Sequence, residues 1–166
     1  DETTKEYGAF TDDMSSIFVE VGLNEVLSVG IDYVLHTLET PENVAREDGG
    51  TDANTVKAEF EDLTTVYAKL NLPLGGAYLK IGYAEVEVIS KENLDSGNTH
   101  GNDKSDGLVA GIGYHHELAN GIGIRAEITG MDMSDVTSNN GQTNKTEIKV
   151  QDIIGARGTI SLVKSF

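Results

Sequence analysis

The stretch Ile122-Gly123-Ile124-Arg125-Ala126-Glu127-Ile128-Thr129 alternates strictly between aliphatic residues and glycine or polar residues. Alternation with a period of two predicts a β-strand with one aliphatic face and one face that combines glycine with charged side chains. The same alternation recurs along most of the chain, whereas the period of an amphipathic helix is almost absent. The sequence therefore predicts an all-β protein.

The connections between the predicted strands alternate between tight turns and long polar loops. Because short and long connections alternate, every tight turn falls at one end of the sheet and every long loop at the other. This asymmetry is typical of antiparallel, up-and-down transmembrane β-barrels. The seven predicted strands cover residues 14–23, 27–38, 55–72, 77–90, 107–117, 121–133 and 147–166. The long loops are predicted at residues 40–54, 91–106 and 134–146.

Composition and charge exclude several classes of protein. A chain of 166 residues predicts a single domain over residues 1–166. The formal net charge of −16 argues against a nucleic-acid partner, because phosphates require a basic surface. Cysteine is absent, which excludes a disulfide framework, and no apolar run approaches the roughly 20 residues of a transmembrane helix. Asp1 does not open a signal peptide, so export is expected to follow cleavage of a leader.

The face that carries glycine and charge distinguishes a soluble barrel from a membrane barrel. In a soluble barrel this face would be wetted, whereas in a membrane barrel it fills the lumen while the aliphatic face meets lipid. Its charges are few and balanced, as a closed interior requires, because a buried unpaired charge is costly. We therefore expect a lumen ion-pair network of Glu20, Asp32, Lys69, Lys80, Arg125, Glu127 and Arg157, with Tyr33, Tyr83 and Tyr114 as lipid-facing aromatic residues.

The C-terminal stretch 156–166 resembles the assembly signal of bacterial outer-membrane proteins. Ile160, Leu162 and the terminal Phe166 share one face, and the barrel-insertion machinery reads such a strand by pairing with it. Lys164 departs from the pattern, but it lies close enough to the membrane edge to snorkel. Together, these features make the chain similar to the small outer-membrane barrels typified by the OmpA membrane domain, OmpX and the opacity proteins.

This resemblance implies both an architecture and a role. Such barrels have eight strands, tilted by about 35–45°, around a lumen filled with side chains. Their members act as structural anchors, adhesins or surface-interaction proteins, so a non-enzymatic role with acidic extracellular loops and no cofactor is expected. The implied location is the outer membrane of a diderm bacterium. The implied partners are outer-membrane lipid and lipopolysaccharide, the insertion machinery, and an extracellular protein or phage.

Seven predicted strands conflict with the even strand count of bacterial barrels. If Phe166 lies at the periplasmic end, the strand at 14–23 runs downward, and the missing strand is N-terminal with residues 1–13 as its extracellular exit loop. Neither face of residues 3–10 is apolar enough to meet lipid. We therefore expect the first strand upstream of Asp1, or supplied by another chain, because an open edge in lipid leaves backbone groups unpaired.

Three other functions stay open: a narrow channel, a lipid-modifying enzyme on the same barrel, and a soluble lipocalin-like binder. His36 is a candidate base for a nearby serine, but no Ser/His/acid spacing is specific, so no catalytic residue is assigned. The stretch 102–107 lacks the spacing of a calcium loop, so no metal site is assigned. An ion-pair plug is favoured over a channel, because about eight strands leave an interior just wide enough for side chains.

Overall fold

The computed structural model of the chain describes residues 8–46, 53–93, 101–139 and 147–166, and its regular elements there are all β-strands. The prediction of an all-β, antiparallel fold is confirmed. The strands are β1 (Ser16–Gly22), β2 (Leu27–Val34), β3 (Leu38–Glu39), β4 (Asn43–Arg46), β5 (Ala53–Asn71), β6 (Ala77–Asn93), β7 (Asp103–Ala119), β8 (Ile122–Met133), β9 (Val136–Asn139), β10 (Glu147–Val150) and β11 (Ile153–Lys164).

Seven strands form the main path of one curled antiparallel sheet, in the order β1-β2-β5-β6-β7-β8-β11. The short strands β3 and β4 pair with β5 beyond the end of β2, and β9 pairs with β10 in a separate hairpin. Tight turns join β1 to β2, β5 to β6 and β7 to β8, all at one end of the sheet, which we name the tight-turn end. The opposite end is named the long-loop end.

Local sequence explains the tight turns. The side chain of Asn24 accepts hydrogen bonds from the amides of Val26 and Leu27, at 2.9 and 2.8 Å, and so closes the first turn. Asn120 and Gly121 both have positive φ, 56° and 70°. An Asn-Gly pair accepts this conformation readily, and the resulting turn matches the right-handed twist of the flanking strands.

The two faces of the sheet have opposite character. Ile128 is 68% exposed on the convex side, whereas its neighbours Glu127 and Thr129 are shielded on the concave side. Arg125, Lys69 and Lys80 are buried, and Arg125 is only 5% exposed. This arrangement, with aliphatic side chains outside and charged side chains inside, is the reverse of the arrangement in a water-soluble barrel. It matches a barrel wall that faces lipid.

Several strands continue past the ends that the sequence predicts. β7 begins at Asp103 rather than at residue 107, and β6 reaches Asn93 rather than residue 90. Glu87 pairs with Lys104 in this extension. Backbone pairing continues in this stretch although its outward positions no longer carry aliphatic side chains. The alternation that marks a strand in the sequence is therefore lost.

The predicted strand 147–166 is two strands. β10 pairs with β9, and β11 starts again at Ile153 after Asp152, which has a φ of 55°. A residue in the left-handed region interrupts the extended backbone. The chain therefore changes its strand partner at this point, from β9 to β8.

The predicted loops are only partly described. β4 lies in the predicted loop 40–54 and β9 in the predicted loop 134–146, while residues 47–52, 94–100 and 140–146 lie outside the described residues. Of the stretch 3–10, residues 8–10 are not in a strand, and residues 3–7 lie outside the described part of the chain.

The interior has an apolar half and a charged half. Toward the long-loop end, buried aliphatic side chains pack together, and the charged side chains lie nearer the tight-turn end. No run of apolar residues marks this apolar cluster in the sequence, because its members alternate with polar residues. Its buried members are Val34, Leu38, Leu63, Ala84, Val86, Val88, Val109, Met133 and Val136.

Candidate functional site

The concave face carries a group of charges centred on Glu20 of β1. The Glu20 carboxylate accepts hydrogen bonds from Lys69 of β5 and from Arg125 of β8, the latter at 3.1 Å. The hydroxyl of Tyr67 donates a further bond to Glu20 at 3.1 Å. One carboxylate therefore pairs with two cations that come from distant strands.

A second group is centred on Glu127 of β8. The Lys80 ammonium donates to its carboxylate at 2.8 Å, and the Tyr78 hydroxyl donates to the other oxygen at 2.7 Å. The Lys80 and Glu127 side chains are both nearly buried. Bonds from both partners to a nearly buried carboxylate offset much of the cost of removing the charges from water.

A third group joins the two edge regions of the sheet. Arg157 of β11 donates to Asp32 of β2 at 3.0 Å and to the Ser16 hydroxyl of β1 at 2.5 Å. Ser16 also donates to Asp32 at 3.2 Å. The structure thus brings all seven residues of the expected network into three contacting groups, each of which bridges strands that are not sheet neighbours.

Aromatic rings separate the charged groups, and these rings were not among the residues expected in the network. The Lys80 ammonium lies 4.1 Å from the centre of the Tyr67 ring, and the Arg125 guanidinium lies 4.8 Å from that of Phe18. Arg125 and Lys69 also lie 5.3 and 5.4 Å from the centre of the Tyr78 ring. Such cation–π contacts strengthen when water is excluded. Tyr78 lies two residues from Lys80 on the same face, and this spacing was the available signal.

Two glycines make room for these rings. A Cβ at Gly113 would lie 2.2 Å from the ring of Tyr78, and a Cβ at Gly30 would lie 2.6 Å from that of Tyr67. Real Cβ atoms do not come this close to a ring, so both positions require glycine while the tyrosines stay in place. On the concave face these glycines therefore leave space for large interior side chains.

The exposed aliphatic side chains of the convex face, such as Ile124 and Ile128, form an aliphatic belt. Tyrosines lie near both edges of this belt. Tyr33 donates a 2.5 Å hydrogen bond to Asp62, and Tyr83 donates to Asp106, both toward the long-loop end. Tyr114 is exposed toward the tight-turn end. Tyrosine prefers the boundary between hydrocarbon and water, because its ring is apolar and its hydroxyl is polar.

Ion pairs continue beyond the belt at the long-loop end. Lys57 pairs with Glu39, and Lys104 pairs with Glu85 at 2.7 Å. The hydrogen bond that Lys57 donates to the Glu39 carboxylate raises the pKa of Lys57, and the bond that Lys104 donates to Glu85 raises the pKa of Lys104. The Lys104–Glu85 pair is largely exposed, and such exposed pairs add little to stability.

The C-terminal residues of the expected assembly signal lie on the convex side. Ile160 and Leu162 point outward from β11, and Phe166 is fully exposed beyond the end of the strand. The Lys164 ammonium turns to the tight turn, where it donates a 2.5 Å hydrogen bond to the carbonyl of Asn120. Its charge is therefore directed to the polar edge, away from the aliphatic belt.

The candidate base His36 has its Nε2 atom 2.8 Å from the carbonyl oxygen of Asp13. A carbonyl only accepts, so Nε2 must carry a proton for this bond to form. Within residues 8–46, 53–93, 101–139 and 147–166, no three His, Asp or Glu side chains are grouped to hold a metal ion. No helix in these ranges is long and apolar enough to cross a membrane.

The chain matches a known protein family. The family model described as outer membrane protein beta-barrel domain matches residues 2–153, which is most of the chain. No curated protein and no solved structure matches significantly.

Proposed function

Because the chain belongs to the outer-membrane β-barrel family, we propose that it is a non-enzymatic structural or surface-interaction barrel with a lumen closed by paired charges. The observation that carries the proposal is the pairing of Glu20 with both Lys69 and Arg125 across the concave face. A barrel of about eight strands has room only for side chains, and these side chains occupy it.

The ion pairs support a plug more than a transport path. Lys69, Lys80 and Arg125 are each buried, and each has a carboxylate partner. A permeating ion would have to replace these hydrogen-bonded partners one after another. The apolar cluster toward the long-loop end adds a second barrier, because an ion gains no solvation from aliphatic side chains.

The long-loop end supports the surface-interaction part of the proposal. In an outer-membrane barrel the longer loops face the exterior, and this end carries acidic side chains such as Asp103, Asp135 and Glu85. An acidic surface favours basic protein partners, and it favours lipopolysaccharide phosphates only where divalent cations bridge the two. An extracellular protein or phage and the lipopolysaccharide layer are the proposed outer partners, and the insertion machinery is the proposed partner during assembly.

Conductance in planar bilayers tests the plug. We expect no stable open state for the unaltered protein, and we expect current to rise when Lys80 and Glu127 are both replaced by alanine. Removing both partners together avoids leaving one buried charge unpaired. The matched control replaces Lys57 and Glu39, the pair beyond the belt, and should leave the trace unchanged. Stable openings of the unaltered protein would show a channel instead.

Protease treatment of intact cells tests the orientation. We expect cleavage only within the long-loop end, with the membrane-embedded strands left as protected fragments. If protease added to intact cells cleaves the tight turn at residues 118–121, the tight-turn end faces the exterior. That result would contradict both the proposed orientation and the proposed surface role.

A further inference from the structure

The three tight turns carry exposed aliphatic side chains, although the residues typical of turns are Gly, Pro, Asn, Asp and Ser. Leu23 and Val26 flank the tip of the first turn, and Leu74 lies in the second. Leu118 lies at the third turn. Each of these side chains is more than half exposed, and together we name them the turn-end aliphatic set. They lie next to the aliphatic belt, at the tight-turn end of the sheet.

The aliphatic belt has a sharp limit on the side of the long loops. The next outward position after Tyr83 on β6 is Glu85, and the next one beyond Leu108 on β7 is Asp106. Glu85 and Asp106 are direct partners across the two strands, and Lys104 pairs with Glu85 further out. Charged side chains on the lipid face are costly in hydrocarbon. We therefore expect the hydrocarbon to end at this level.

Measured from that limit, the belt on β7 is too short to cross the hydrocarbon. It runs from Leu108 to Tyr114, which spans about 15 Å at a rise of about 3.3 Å per residue and a tilt of about 35–45°. The apolar band of such barrels is about 25 Å tall. A stretch from Leu108 to Leu118 spans about 25 Å by the same geometry, and His116 between them has a largely apolar ring. The third turn is therefore needed to complete the band.

The backbone of the turns is suited to surroundings with little water. In the first turn the amides of Leu23 and Asn24 both donate to the carbonyl of Leu27, and the Asn24 side chain accepts bonds from two further amides. At the third turn the carbonyl of Gly121 accepts a 2.7 Å bond from the amide of Ser165. Backbone groups without a partner are costly in lipid, so these bonds lower the cost of immersing the turns.

Acidic side chains next to the aliphatic ones limit the depth of immersion. Glu25 is exposed at the tip of the first turn, between Leu23 and Val26, and Glu117 directly precedes Leu118. Carboxylates are costly in hydrocarbon, but the cost becomes small near the interface. The turns therefore fit the boundary between headgroups and acyl chains, where the aliphatic side chains meet lipid and the carboxylates meet water.

We propose that the tight-turn end is immersed in the headgroup boundary of the membrane leaflet on its side, with the turn-end aliphatic set in contact with phospholipid acyl chains. Lipid is the occupant because the set is continuous with the lipid-facing belt and is spread over three separate turns. The barrel then lies off-centre in the membrane, and the extended strands β5, β6 and β7 project from the opposite surface. This immersion requires the membrane location that family membership supports, and it is independent of the proposed plug and surface role.

Tryptophan fluorescence tests the depth, because residues 1–166 contain no tryptophan. The complete polypeptide is refolded into phospholipid vesicles whose acyl chains carry bromine, a quencher, either near the headgroup or near the chain end. Emission is measured as the difference from the unaltered protein. Leu118→Trp should emit at a shorter wavelength than an indole in water and should lose emission to bromine near the headgroup. Lys104→Trp is the matched control, because Lys104 lies four residues beyond Leu108 and Leu118 lies four residues beyond Tyr114, and it should emit as in water with little quenching.

Three further positions separate the outcomes. Leu23→Trp and Leu74→Trp should be quenched as strongly as Leu118→Trp, because immersion of the whole end affects all three turns, whereas a tilt affects one side. Ile128→Trp, midway along β8, should be quenched most by bromine near the chain end. Water-like emission at position 118, equal quenching at positions 104 and 118, or quenching in only one turn would each overturn the proposal. Absence of quenching at position 128 would overturn the membrane location itself, and the conductance result depends on none of these outcomes.

Discussion

Glu20 and Arg125 form a 3.1 Å ion pair across the concave face, although four strands separate β1 from β8 in the sheet order. The contact can form only because the sheet curls until the two concave surfaces face each other. Both side chains are nearly buried. The pair therefore helps to hold the sheet in its curled form, and it also pairs opposite charges in the interior.

Replacing Glu20 by glutamine should strongly destabilise the protein. The change leaves Lys69 and Arg125 without their shared carboxylate, and loss of one partner of a buried pair typically costs about 3–5 kcal/mol. Urea unfolding in lipid vesicles, followed by far-ultraviolet circular dichroism, measures the difference. Glu25→Gln is the matched control, because Glu25 lies exposed in a tight turn, and equal stability of both variants would contradict the role of Glu20.

Gly113→Ala should destabilise the protein by about 1–3 kcal/mol, the usual cost of overpacking. The new methyl group would lie 2.2 Å from the ring of Tyr78 and would force that ring away from Glu127. Gly130→Ala is the control, because nothing lies within 4 Å of a Cβ there. Adding Tyr78→Val to Gly113→Ala should cost less than the sum of the two single changes. Additive losses would show that the ring and the glycine are independent.

Ile128→Lys should impair membrane insertion, whereas Leu74→Lys should not. Both side chains are 68% exposed, but Ile128 lies midway along β8 while Leu74 lies in a tight turn. A lysine on the lipid face costs about 2–4 kcal/mol at the bilayer midplane and much less near the interface. Refolding into vesicles, scored by the shift of unboiled protein on gels, measures the difference. Equal insertion of both variants would contradict a lipid-facing wall.

The sequence predicted the face of the sheet on which each side chain lies more accurately than it predicted which side chains contact each other. Strict alternation places Arg125 and Ile124 on opposite faces, and in the structure Arg125 is buried while Ile124 is exposed. The partner of Glu20 depends on the strand order and the curvature, and neither is encoded in local alternation. The contacts of Tyr78 and of the apolar cluster around Val86 depend on the same strand order and curvature. The start of β7 at Asp103 was missed because residues 103–106 are all polar, although Asp103 and Ser105 pair with Val88 and Val86 of β6.

Removal of Phe166 should reduce assembly in cells without reducing stability in vesicles. Phe166 is fully exposed beyond β11, with the Lys164 ammonium 5.7 Å from the centre of its ring, and it packs into no interior cluster of the described residues. Its loss therefore costs little folding energy, whereas an insertion machinery that reads the terminal aromatic residue would lose its signal. The yield of the barrel in outer-membrane fractions, compared with urea stability after refolding in vesicles, separates the two effects. Ser165→Ala is the control, and a stability loss equal to the loss of yield would place the role of Phe166 in the folded barrel rather than in assembly.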